Sequence, residues 1–102
     1  MNNRVVITGM GIYSCIGTSL EEVKESLFQG KSGIIFDEDR ITYGFQSALT
    51  GKVPNPDLKA LLNRRQRITI GEETEYAYLA TLEALKNANI SEDYLKTNEV
   101  GL

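Results

Sequence analysis

Arg4-Val5-Val6-Ile7-Thr8-Gly9-Met10-Gly11-Ile12, leading into Ser14-Cys15-Ile16-Gly17, is the stretch on which the fold is read. Val5 to Thr8 is a short apolar, β-branched run that ends at a glycine. Continuous apolarity, in place of alternation, predicts a strand buried on both faces of a parallel sheet. Gly9 to Gly17 then reads as a loop with three glycines, where the backbone can turn sharply or approach another segment closely.

Working outward, Ser19-Leu20-Glu21-Glu22 has the form of a capping box, the serine accepting from the N3 amide while Glu22 reaches back. Leu20, Val23, Leu27 and Phe28 make one apolar stripe on the helix that follows. Gly30 stops it as the residue past the cap. Lys31 to Val53 reads as a long loop with a charged excursion at Asp37-Glu38-Asp39-Arg40, closing in a short strand near Ala48 to Val53. Asn55-Pro56-Asp57 is expected to open a short helix, with proline at N1 and Leu58, Leu61 and Leu62 on one side.

The strongest helix is predicted from about Glu72 to Ala88. Ala77, Ala80, Ala84 and Ala88 form a small-residue face beside a larger face of Tyr78, Leu82 and Leu85. Together they span roughly 200° of the helix, an arc that needs cover on two sides. Asn89 suits a left-handed cap, and Ser91 starts another turn through Tyr94. Glu99-Val100-Gly101-Leu102 reads as the start of a strand that does not finish. No repeat, low-complexity tract or linker divides the chain, so residues 1–102 are read as one unit.

Composition narrows the function classes. The 102 residues fit one domain, at the small end for an α/β enzyme. A net charge of −3 argues against a general nucleic-acid binder. No apolar run is long enough to span a membrane, and the N-terminus shows no signal-peptide pattern. The single cysteine permits neither an internal disulfide nor a thiolate zinc cluster. A cytoplasmic, reducing compartment is the expectation.

Several motifs fail on context. Gly9-Met10-Gly11 resembles a dinucleotide fingerprint, but its third glycine position is Ser14 and no helix opens at the loop. Gly30-Lys31-Ser32 copies the tail of a P-loop, yet the position of that motif's first glycine is Glu25 and a helix precedes it. Cys15 has no histidine to activate it, because the chain contains none. The acidic residues Glu21, Glu22, Asp37, Glu38, Asp39, Glu72, Glu73 and Glu75 show no ligand spacing, so neither a metal nor a cofactor is expected. Arg64-Arg65-Gln66-Arg67 is the one basic cluster in an acidic chain, either a solvated turn or a grip for phosphate or carboxylate on a partner.

Taken together, the glycine signature, Gly30-Lys31-Ser32-Gly33-Ile34, Gly51-Lys52-Val53, Leu61-Leu62-Asn63-Arg64-Arg65, Tyr76-Ala77-Tyr78-Leu79-Ala80, Glu83-Ala84-Leu85 and Val100-Gly101-Leu102 resemble the start of a β-ketoacyl-[acyl carrier protein] synthase. The likeness runs through the whole chain and is greatest to the elongating, type I-like bacterial enzymes. It implies an α/β, thiolase-like fold, of which the chain is the first part of the N-terminal half, a layered α-β-α arrangement with an incomplete sheet.

The resemblance also implies decarboxylative Claisen condensation of acyl and malonyl thioesters, in fatty acid or related polyketide synthesis. The family's catalytic cysteine and two histidines have no counterpart among these residues. Cys15 matches a small loop residue, so the segment alone is expected to be inactive.

Arg64 and Arg65 match basic positions that contact acidic acyl carrier protein in the type I-like enzymes. Arg67, one residue before the next such position (Ile68 here), is counted with them as an expected carrier-protein contact. Asn89 stands where the family often has glycine. The alternative is a non-catalytic interaction module that holds an acidic partner through Arg64 and Arg65. In either case apolar faces and strand edges would be exposed on the isolated chain, which is expected to form a homodimer or to pair with another chain.

Overall fold

The computed structural model describes residues 2–101. Its elements run α1 (Leu20–Gln29), β1 (Ile34–Phe36), α2 (Glu38–Thr42), β2 (Leu49–Gly51), α3 (Arg64–Arg67), α4 (Glu72–Asn87) and α5 (Glu92–Thr97).

The helix ends follow local chemistry. Ser19 caps α1 by accepting from the Glu22 amide at 3.3 Å. Glu22 reaches back one residue further than a capping box requires, accepting from the Thr18 N–H at 2.7 Å and the Thr18 hydroxyl at 3.0 Å. At the other end Gly30 takes φ 67°. Its N–H bonds Leu27 O at 3.3 Å, while Lys31 N–H bonds Ser26 O at 2.8 Å. These two bonds form a Schellman ending. Asn89 repeats it on α4 with φ 57°, its N–H on Lys86 O and that of Ile90 on Leu85 O. Ser91 caps α5, which continues past Tyr94 to Thr97.

The sheet differs from expectation. Val5 to Thr8 is in no strand, and Val5, Val6 and Ile7 are 94%, 65% and 85% exposed. A strand exists only in a ladder, and among the described residues this segment pairs with no other. The sheet that does form is a two-stranded antiparallel pair, with Ile34 opposite Gly51 and Phe36 opposite Leu49. β2 falls inside the span expected for a strand; β1 and α2 lie in what reads as loop. Asp37 starts α2 by accepting from the Asp39 amide at 3.1 Å. The helix expected at Asn55-Pro56-Asp57 is only a turn, in which the Leu61 and Leu62 amides bond Leu58 O. Leu58 itself is buried. Glu99 to Gly101 form no strand, and Leu102 lies outside the described residues.

The chain does not close around a core. Its radius of gyration is 17.5 Å, against about 13 Å for a compact domain of this length. The accessible surface is 8833 Å², roughly 3,000 Å² above that of a folded monomer of this mass. Among the described residues only Val23 and Leu58 are buried hydrophobics. The expected stripe on α1 therefore splits: Val23 is covered, while Leu27 and Phe28 are 68% and 83% exposed. No helix of the described residues is long and apolar enough to cross a membrane.

Candidate functional site

Two features organise the molecule, the glycine loop seated on α4 and the arginine turn that precedes α4. The small-residue face of α4 explains the first. A Cβ at Gly9 would lie 2.5 Å from Ala84 O and 2.7 Å from the Ala88 Cβ. A Cβ at Gly11 would run into Ala80 O and come within 2.8 Å of the Ala84 amide. The loop backbone thus rests directly on the helix backbone, which requires glycine on one side and alanine on the other.

Polar side chains beside that face hold the loop. One oxygen of Glu83 accepts from the Ile12 N–H at 2.9 Å, and the other from the Leu20 N–H at 2.6 Å. One turn later Asn87 Oδ1 accepts from the Met10 N–H at 3.1 Å. Glu83 ties the loop and the first turn of α1 to the same point on α4. The Ser26 hydroxyl donates to Ile16 O at 2.6 Å, fixing the loop from the α1 side. Sequence reasoning did not single out Glu83; the available signal was a polar pair at i and i+4 flanking an alanine face.

Tyr13 stacks on Tyr76 with centroids 5.5 Å apart and planes 11° from parallel. Its hydroxyl donates to Pro54 O at 2.9 Å. Desolvation holds both phenols above the ordinary tyrosine range; the nearby carboxylate of Glu22 adds to the shift at Tyr13, and those of Glu72 and Glu75 at Tyr76.

Glu22 is pulled the other way. The Thr18 backbone and side-chain hydrogen bonds favour its carboxylate and hold its pKa below the ordinary glutamate range. A lowered folded-state value contributes stability that is present above the unfolded value and lost as pH falls through the folded one. We expect an NMR pH titration to place the Glu22 midpoint below that of an unfolded reference, with Thr18 amide protection lost in step. An unshifted midpoint would remove the tie.

Cys15 is half-buried and packed between glycines, a Cβ at Gly33 falling 2.6 Å and one at Gly51 3.1 Å from its sulfur. No imidazole exists to take its proton. The position reads as packing. Among the described residues no three Cys, Asp or Glu side chains converge on a metal position.

The arginine cluster is itself a helix. Asn63 accepts from the Gln66 amide at 2.9 Å, and the Gln66 side chain accepts from the Asn63 amide at 3.0 Å. This reciprocal box starts the single turn of α3. Arg64 and Arg65 are exposed. Arg67 is half-buried and donates from Nε to Leu62 O at 3.3 Å. Among the described residues the ion pair present joins Lys96 to Glu92, so neither exposed arginine has an acidic partner.

Comparison with known proteins places the chain in a class. The family model described as "Beta-ketoacyl synthase, N-terminal domain" matches residues 2–102, and the chain belongs to that family.

Similar proteins include synthases 1 and 2 of this kind. The 3-oxoacyl-[acyl-carrier-protein] synthase 1 of Buchnera aphidicola subsp. Acyrthosiphon pisum (strain APS) is 37% identical over 100 residues, covering 97% of this chain and 24% of the relative. The synthase 1 of Escherichia coli (strain K12) matches with the same identity and coverage, 37% over 100 residues, 97% and 24%. The synthase 2 of Staphylococcus aureus (strain COL) is 30% identical over 105 residues, covering 99% and 24%. The chain spans about a quarter of the length of these relatives.

Proposed function

We propose that these 102 residues form one unit of scaffold and carrier-protein docking surface within a 3-oxoacyl-[acyl carrier protein] synthase of fatty acid or related polyketide synthesis. The supporting observation is the family match over residues 2–102. A cytoplasmic thiolase-like enzyme is the corresponding whole, assembled as a homodimer or with another chain. The exposed surface described above is where such cover would lie.

In the reaction, a thiolate attacks the acyl thioester of the carrier and releases the carrier thiol, the malonyl thioester loses carbon dioxide, and the resulting carbanion attacks the enzyme-bound acyl carbonyl and expels the thiolate. Histidines assist the decarboxylation and attack. A chain without histidine cannot supply that part of the chemistry. The contribution assigned to these residues is recognition. Arg64 and Arg65 project free guanidinium groups from α3, which suits an acidic carrier protein whose encounter is steered by charge.

The test is binding of acyl carrier protein to the chain and to an Arg64→Ala/Arg65→Ala variant across a salt series. The double variant is expected to weaken binding about tenfold at low salt, two exposed pairs contributing up to about 1 kcal/mol each, and to flatten the salt dependence. Equal affinities at low salt would sink the docking assignment. Condensation activity from the isolated chain would sink the scaffold reading.

A further inference from the structure

Sequence spacing groups Arg64 and Arg65 with Arg67, but the geometry separates them. We propose that the Asn63–Gln66 capping box is the positioning device of the Arg64–Arg65 docking pair, and that Arg67 is an anchor on its own chain instead of a contact to the partner.

This inference rests on the docking assignment made above and deepens it. A single helical turn does not persist by itself, because nucleation fixes several residues for one hydrogen bond. α3 has four residues. What sets it is the pair of reciprocal bonds, 2.9 Å from the Gln66 amide to Asn63 Oδ1 and 3.0 Å from the Asn63 amide to Gln66 Oε1. Inside that box lie Arg64 and Arg65, on consecutive residues of the turn, both exposed.

At its far end, the Arg67 amide bonds Asn63 O at 3.0 Å. Its Nε bonds Leu62 O at 3.3 Å, folding the side chain back over the turn's entrance. Thr69 closes the exit, its hydroxyl donating to Gln66 O at 2.7 Å. The turn is therefore held at both ends by hydrogen bonds within its own chain, of which the Arg67 bond alone has a charged donor, and the two free cations stand between them. Holding the pair in place lowers the ordering cost of binding, and it does so without changing the charge that steers encounter.

Charge and positioning give different signatures. Asn63→Ala should weaken acyl carrier protein binding about fivefold, the tenfold-per-1.4 kcal/mol conversion of a lost N-cap of about 1 kcal/mol. The salt slope should stay that of the unmodified chain, since no charge is removed. Asn63→Ser, which also caps helices and adds no charge, should restore most of the affinity. Arg67→Lys, which keeps the charge but not the Nε bond, should behave like Asn63→Ala.

Loss of affinity with an altered salt slope, failure of Asn63→Ser to rescue, or full affinity in Asn63→Ala would each overturn the proposal. Should Arg64→Ala/Arg65→Ala bind as well as the parent, the docking assignment itself falls, and the two failures are told apart. Amide exchange of the α4 residues controls for general unfolding and should be unchanged in Asn63→Ala.

Discussion

Gly11→Ala is expected to unseat the glycine loop from α4 and lower the stability of the chain by about 3 kcal/mol, the upper end of ordinary overpacking costs. The new methyl group would meet Ala80 O and the backbone around Ala84. A rotamer change cannot relieve the clash, because the obstacle is main chain. Either the loop lifts, which stretches the Ile12-to-Glu83 bond of 2.9 Å, or α4 bends. Urea unfolding and amide exchange at Met10 and Ile12 would read this. Parent-like stability, with protection intact at both amides, would mean that the loop does not rest on α4.

Glu83→Ala is the second large effect, expected at about 2 kcal/mol. Hydrogen bonds to a charged acceptor contribute about 1.5–3 kcal/mol each, and water reaching this half-buried position offsets part of the loss of two. The Ile12 and Leu20 amides, 71 and 63 residues from Glu83 in sequence, should lose protection together. Glu83→Gln makes the distinction sharper. An amide has one acceptor oxygen, so only one of the two N–H groups can keep a good partner. We expect one protected amide in Glu83→Gln, none in Glu83→Ala and two in the parent chain. Independent loss of the two amides in Glu83→Ala would mean the carboxylate does not join loop and helix.

Local chemistry carried the legible part of this structure. Ser19, Gly30, Asn89 and Ser91 mark helix ends because a cap needs only a few neighbouring residues, and α4 was legible from Glu72 to Ala88, one residue past its last helical residue, Asn87. Pairing was not legible in the same way. Val5 to Thr8 has the composition of an inner strand, but composition does not supply neighbours. Ile34 to Phe36 pairs with a segment some fifteen residues on, through an excursion whose own small helix depends on one Asp37 contact. Pro56 suggested a helix start, yet the turn forms only beyond it, at Leu58.

The site divides likewise. The arginines were legible as charge, whereas the split between Arg64–Arg65 and Arg67 depends on where one Nε points. Glu83 was invisible because its partners are backbone groups, which every residue except proline carries.

The glycines that press on this molecule also differ in how evolution could replace them. At Gly51 the nearest obstacle is the Cys15 sulfur at 3.1 Å, a side-chain atom that a second mutation can shrink. At Gly11 the obstacles are main-chain atoms of Ala80 and Ala84, which every amino acid shares. No companion substitution on α4 can make room there. A lineage can therefore reach a larger residue at position 51 by way of position 15, while position 11 offers no such detour, and suppressors of a change there must act by shifting α4 as a whole.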